Sequence, residues 1–132
     1  METITKTMAK TIAKTILVVD DNIEIRRLIG YILAPIYQVV EADCASNASI
    51  QLARYNPDLI LLDINMPGVN GLEWCAMIRT WYKSRDIKII MVSALNKSEE
   101  ISEGERFGAD GYVSKPFSPA ILLEEISRHL SE

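Results

Sequence analysis

The stretch Leu59-Ile60-Leu61-Leu62-Asp63-Ile64-Asn65-Met66-Pro67-Gly68 decides the fold. Its first four residues are apolar with no polar alternation, which suits a strand covered on both faces, as central strands of parallel sheets are. The run stops on a carboxylate, and Pro67-Gly68 with Asn70-Gly71 mark the turn that follows. Working outward, Ile16 to Val19, Gln38 to Val40, Ile87 to Val92 and Gly111 to Val113 read as four further strands. Between and after them, Ile23 to Leu33, Ala45 to Tyr55, Leu72 to Trp81, Ser98 to Phe107 and Ile121 to Leu130 show helical period. Ser118-Pro119 supplies a cap and a first-turn proline for the last helix. The fourth helix is the poorest helix former, because Gly104 costs about 1 kcal/mol relative to alanine and Glu99, Glu100, Glu103 and Glu105 repel one another.

Strict alternation of strand and helix, five times over, requires crossovers, and crossovers between parallel strands place helices on both faces of a sheet. The expected fold is therefore α/β: a doubly wound, five-stranded parallel sheet. A chain of 132 residues, 48% hydrophobic and 24% charged, has the makings of one globular domain. Its net charge of −4 speaks against direct nucleic-acid binding. The longest apolar runs fall far short of the ~20 residues that cross a bilayer, so no membrane insertion is expected. The lysines near the N-terminus are followed by no secretory core, and a cytoplasmic location is expected. Cys44 and Cys75, 31 positions apart, suggest neither a zinc site nor a disulfide and read as small buried hydrophobes. Residues 1–15 carry the repeat Lys6-Thr7-Met8-Ala9, Lys10-Thr11-Ile12-Ala13. A helix there would separate Met8 and Ile12 from the lysines, as a docking or membrane-surface helix does, but the threonines oppose it. They are expected to form a flexible extension, with the folded domain over 16–132.

In open α/β sheets ligands bind beyond the carboxyl ends of the strands. Asp20-Asp21 ends the first strand, Asp63 the third, Ser93 the fourth, and Ser114-Lys115 follows the fifth, while Glu41 and Asp43 follow the second. Each has a plain structural role open to it: Asp21 or Asn22 as a helix cap, Asp63 in a turn, Lys115 as a surface cation. Together they are a different matter, since three carboxylates brought close repel one another and call for a cation among them. The donors are hard oxygens without Cys or His, which suits Mg²⁺ rather than zinc. Three carboxylates, one Mg²⁺ and Lys115 come to formal neutrality. Such a site suits a phosphoryl group, and one carboxylate could act as nucleophile and become an aspartyl phosphate.

The ordered set Val18-Val19-Asp20-Asp21-Asn22, Leu61-Leu62-Asp63-Ile64-Asn65-Met66-Pro67-Gly68, Met91-Val92-Ser93-Ala94, Gly108-Ala109-Asp110-Gly111-Tyr112 and Ser114-Lys115-Pro116-Phe117 resembles the receiver domain of two-component response regulators, of the chemotaxis-regulator-like, single-domain kind. The resemblance spans residues 16 to about 131. It implies a flavodoxin-like (βα)5 fold with strand order 2-1-3-4-5. It implies Asp63 as phosphoacceptor, and Asp20, Asp21, Asp63 and the Asn65 backbone carbonyl as Mg²⁺ ligands. Lys115 would contact the phosphoryl group, Ser93 would be the switch hydroxyl and Tyr112 the aromatic that turns on activation. The Lys115-Pro116 bond would be cis. The implied partners are a sensor histidine kinase or histidine phosphotransfer protein, and a downstream protein target. That target would meet the face made by the fourth helix, fifth strand and fifth helix, with room left for a dimer.

Serine at position 93, where threonine is commoner, keeps the hydroxyl. Leu95, apolar where some members carry a polar residue able to orient water, is expected to lengthen the phosphorylated lifetime. Trp74, Ile78 and Trp81 recur at helical spacing, as a core stripe or a partner patch, and His129 is expected on the surface near the end of the last helix. The sequence stops at Glu132, just after that helix, so a stand-alone regulator that is not itself an enzyme is expected. Two alternatives stay open. One is a receiver-like binding module without phosphorylation. The other is a Mg²⁺-dependent aspartyl-phosphate phosphatase of haloacid-dehalogenase type, disfavoured because Asn22 stands where its acid/base aspartate belongs and no cap domain fits.

Overall fold

The computed structural model describes residues 13–83, 85–94 and 98–130, with the backbone alone at 98–100. The elements run β1 (Thr15–Val19), α1 (Ile23–Leu33), β2 (Gln38–Ala42), α2 (Ala45–Tyr55), β3 (Leu59–Asp63), α3 (Gly71–Trp81), β4 (Lys88–Ser93), α4 (Ser98–Arg106), β5 (Gly111–Ser114) and α5 (Pro119–Leu130). All neighbouring strands pair in parallel, in the order β2-β1-β3-β4-β5. This is the doubly wound sheet expected from the alternation, and the order is the one implied by the resemblance. Several boundaries move. β2 extends to Ala42 because Val19 of β1 pairs with Ala42, and β4 runs from Lys88 to Ser93, with Lys88–Val92 in register with Leu59–Asp63 and Ile90–Ser93 in register with β5.

Period-2 alternation sorts each strand between two cores. Ile16, Val18, Leu59, Leu61, Ile90 and Val92 meet Ile29 and Leu33 of α1 and Leu122 and Ile126 of α5. Leu17, Val19, Ile60, Leu62, Ile89 and Met91 meet Ala48 and Leu52 of α2 and Trp74, Cys75 and Ile78 of α3. With both faces covered, β3 carries no polar residue until its carboxyl end, and β1 and β4 carry one before their ends only at their first positions, Thr15 and Lys88. α4 joins the second face through Gly104, where an added methyl would sit 3.5 Å from Met91 Cγ. The glycine that weakens this helix locally therefore lets it lie close to the sheet.

Three helix starts, those of α1, α3 and α5, follow capping residues. The Asn22 side chain accepts from the Glu24 and Ile25 N–H groups, Asn70 from Glu73, and the Ser118 hydroxyl from Ile121. Trp74 and Ile78 are core, the Trp74 indole donating to Ser49 Oγ at 2.9 Å, while Trp81 is exposed. Two expectations need correction. Cys44 is only half-buried, because it stands at the N-cap of α2 where the chain leaves β2, although both cysteines are free as expected. His129 is half-buried rather than openly on the surface: its side chain is 13% exposed and lies 3.1 Å from Glu125, over Gly111.

α3 begins where the loop after β3 returns to the sheet, with Gly71 N–H donating to the Ile64 carbonyl at 2.9 Å. An added Cβ at Gly71 would stand 2.2 Å from the Asp63 carbonyl oxygen, a backbone atom that cannot swing aside. Gly71→Ala is expected to cost about 1–3 kcal/mol, the range of overpacked cores, measured by denaturant unfolding. An unchanged midpoint would show that the Asp63–Gly71 approach is loose.

Candidate functional site

The carboxyl ends of four strands meet in one crevice. Asp20, just past β1, and Asp63 and Ser93, the last residues of β3 and β4, are all buried. Asp21 is exposed, and one carboxylate oxygen from each of Asp20, Asp21 and Asp63 lies within 4.8 Å of the others. Lys115, after β5, brings its Nζ to 2.8 Å from Asp20 Oδ2 and 3.8 Å from Asp63 Oδ2. Its backbone N–H donates to the Ser93 carbonyl at 2.8 Å, so the β4 and β5 ends are tied together. The Lys115-Pro116 peptide is cis. Asn65 lies exposed in the following loop, its N–H donating to Asp63 Oδ1 at 3.2 Å. Tyr112 is half-buried beside the second core, two strand positions before Ser114. Leu95 lies outside the described residues.

Burial pushes the Asp63 carboxyl up to about 6, the Asp20 carboxylate adds to this, and Lys115 opposes it. Among the described residues one ammonium, that of Lys115, thus faces three carboxylates, a local excess of negative charge. The donors are all oxygens at the mouth of a crevice, with Asp21 open to solvent, and this set fits a hard divalent cation such as Mg²⁺. Asp20, Asp21 and Asp63 are the residues that would hold it.

The remaining strand-end carboxylates lie apart at the sheet edge. Glu41 pairs with Arg26 at 3.1 Å, and Asp43 accepts a hydrogen bond from Asn47. Asn22, not Asp21, is the helix cap, and its own N–H also donates to Asp20 Oδ1 at 2.9 Å. Three contributors escape a reading of motifs. Gly71 clears space at Asp63, Arg26 reaches the Asp20 carbonyl at 2.7 Å, and Arg79 ties α3 to Asp110 at 2.6 Å. The Asn70-Gly71 turn signal pointed at the first, but nothing local marks the two arginines.

A parallel five-stranded α/β domain with buried aspartates and a lysine at its strand ends defines a class of acidic-pocket domains. Within that class the chain belongs to the response regulator receiver domain family, whose model matches residues 16–127. It is 39% identical over 112 residues to the phosphate regulon transcriptional regulatory protein PhoB of Klebsiella pneumoniae, covering 84% of this chain and 49% of PhoB. The chain thus spans about half the length of the curated relatives it matches. Among solved structures, the chemotaxis protein CheY4 of Vibrio cholerae superposes with a TM-score of 0.84 at 31% identity, covering 89% of this chain and 99% of that one. The receiver domain of NtrX from Brucella abortus gives 0.81 at 30% identity, over 87% and 97%. Receiver domains are signalling modules of two-component systems that bind Mg²⁺ in an acidic pocket and interact with histidine kinases and downstream effectors. No helix among the described residues is long and apolar enough to cross a membrane.

The raised Asp63 pKa has a consequence for stability. Between about pH 4 and 6 the folded chain holds a proton on Asp63 that the unfolded chain has lost. Metal-free stability from this group therefore falls as pH rises through that window, and the full penalty persists above it. Asp63→Asn is expected to stabilise the chelator-treated protein at pH 7.5 by on the order of 1–2 kcal/mol, a gain that vanishes near pH 4. Denaturant midpoints across the pH range measure it, and a destabilised variant at pH 7.5 would contradict the charge assignment.

Proposed function

We propose that this chain is a phosphoacceptor receiver, taking a phosphoryl group onto Asp63 from a phosphohistidine of a sensor kinase or phosphotransfer protein. The observation that carries this reading is the Lys115 ammonium, 2.8 Å from Asp20 and 3.8 Å from Asp63, within a cluster of three carboxylates. In the proposed reaction an Asp63 carboxylate oxygen attacks phosphorus. The new O–P bond forms as the P–N bond to the donor imidazole breaks, and the leaving nitrogen keeps the electron pair. Mg²⁺, held by Asp20, Asp21, Asp63 and the Asn65 carbonyl, would supply charge neutralisation at the phosphoryl oxygens. Lys115 donates to one phosphoryl oxygen. Its fixed place beside Asp20 keeps that donor ready without a search for it.

Phosphorylation takes Asp63 from about one negative charge to about two and adds acceptor oxygens. Ser93, buried at the end of the neighbouring strand, is the proposed donor drawn toward them. The space it leaves would admit the Tyr112 ring, and the α4-β5-α5 face would change shape for a protein target. α4, whose sequence has poor helix propensity, is suited to the movement. The domain is proposed to span 16–132 with residues 1–15 as an extension, and a cytoplasmic kinase partner would place it in the cytoplasm.

Incubation with acetyl phosphate and Mg²⁺ is expected to add one labile phosphoryl group by intact mass, and none to Asp63→Asn. Absence of the adduct from both, with Mg²⁺ still bound, would favour the binding-module reading. Leu95 is proposed to slow hydrolysis by offering water no polar partner. Leu95→Glu is then expected to shorten the adduct's half-life severalfold in a time course after removal of the donor, and an equal half-life rejects that role.

A further inference from the structure

We propose that Arg26, held by Glu41, is a positioning residue of the cation site: by fixing the Asp20 carbonyl it sets the affinity of the Asp20, Asp21 and Asp63 cluster for Mg²⁺. This rests on the reading of that cluster as a cation site. Arg26 lies in the second turn of α1, its N–H bonded to the Asn22 carbonyl at 3.1 Å. Its guanidinium folds back past the helix cap, Nη1 donating to the Asp20 carbonyl at 2.7 Å and Nε to Glu41 Oε1 at 3.1 Å. The Arg26 side chain is 13% exposed against 43% for Glu41, so the cation is covered and its counter-ion reaches solvent.

The arrangement accounts for every polar atom of Asp20. Its N–H donates to the Ala42 carbonyl at 3.1 Å, its carbonyl takes Arg26, Oδ1 takes the Asn22 N–H and Oδ2 takes Lys115. Both backbone groups are thereby tied to the end of β2, one directly and one through Arg26 and Glu41. The Glu41 carbonyl in turn accepts from Gln51 Nε2 at 3.1 Å, which fastens α2 to the same point. Asp20 is the first residue beyond the ladder of β1, and Asp21 follows it with an exposed side chain. A cleft lined by Arg26, Glu41, Asp43, Asn47, Ile50 and Gln51 opens beside this corner. Without the guanidinium the Asp20 carbonyl would face that cleft, and the turn that aims both carboxylates would lose its brace.

Mg²⁺ demands near-ideal octahedral geometry, so loosening this turn weakens binding. Arginine suits the task because its planar fork can hold a carbonyl and a carboxylate at once, which a lysine ammonium cannot do in the same geometry. Charge alone argues the other way. A guanidinium near the cluster repels a divalent cation, so a purely electrostatic Arg26 would weaken Mg²⁺ binding and its removal would tighten it. The two roles differ in sign.

Isothermal titration with Mg²⁺ at fixed ionic strength separates them, using the wild type, Arg26→Gln, Arg26→Lys and Asp20→Asn. Arg26→Gln is expected to raise the Kd about tenfold or more, as outer partners of metal ligands do, which is about 1.4 kcal/mol per tenfold. Arg26→Lys keeps the charge and is expected to raise it about threefold, well under 1 kcal/mol by the same conversion. Thermal unfolding in chelator confirms that each variant is folded. Should Arg26→Gln fail to fold, Arg26→Lys alone decides, because an electrostatic role leaves its Kd unchanged. Equal or tighter binding by the folded variants overturns the inference while leaving the cation site intact. Absence of Mg²⁺ binding by the wild type, like retention of full affinity by Asp20→Asn, would overturn the site itself.

Discussion

Three carboxylates share the end of a sheet whose interior admits no polar group, and the rest of the site follows from that crowding. Burial and the Asp20 carboxylate together hold the Asp63 carboxyl near 6, against the pull of Lys115. The apolar cores on both faces create the burial, because they leave the strand ends as the first place where charge can sit. A fold built this way stores electrostatic stress at one point. Any ligand that relieves or increases the negative charge there acts on the whole set of strand ends.

The route by which such a change could spread is short and crosses paired strands. Ser93 and Asp63 end adjacent strands, and the Ser93 carbonyl accepts the Lys115 N–H, so Lys115, Ser93 and Asp63 share one edge of the sheet. Tyr112 lies on β5, paired with Met91 of β4, and Met91 also supports Gly104 of α4. At the far end of the same elements Arg79 grips Asp110 and the Gly108 carbonyl, which anchors the start of β5 to α3.

Much of this was legible in the sequence because the strands are pure. Runs such as Leu59 to Leu62 announce a buried parallel strand, and the polar residues that end the central runs, Asp20, Asp63, Ser93 and Lys115, stand together in the crevice, while Glu41 and Asp43 after β2 lie apart. The strand order came from family resemblance, since alternation alone permits several. What stayed hidden depends on register and side-chain reach. Arg26 meets Glu41 only because β2 pairs with β1 so that Ala42 stands opposite Val19, and no local pattern encodes that meeting. The half-burial of His129 depends on the packing of its ring against Gly111 of β5, a contact between elements that helical position does not encode. Composition speaks only of residue types, so it does not show that the chain turns into α2 at Cys44 and leaves that thiol half-buried.

The central claim is that charge added at Asp63 is felt through Ser93 to Tyr112 and α4. Backbone and side-chain NMR spectra with Mg²⁺, before and after addition of beryllofluoride as a phosphoryl analogue, test it most directly. The expected result is a set of shifts that runs from Asp63 through Ser93 and Tyr112 into residues 101–106, with the Asp110 end of β5 little changed. Shifts confined to Asp20, Asp21, Asp63 and the loop after β3 would contradict it, leaving a site that binds without switching.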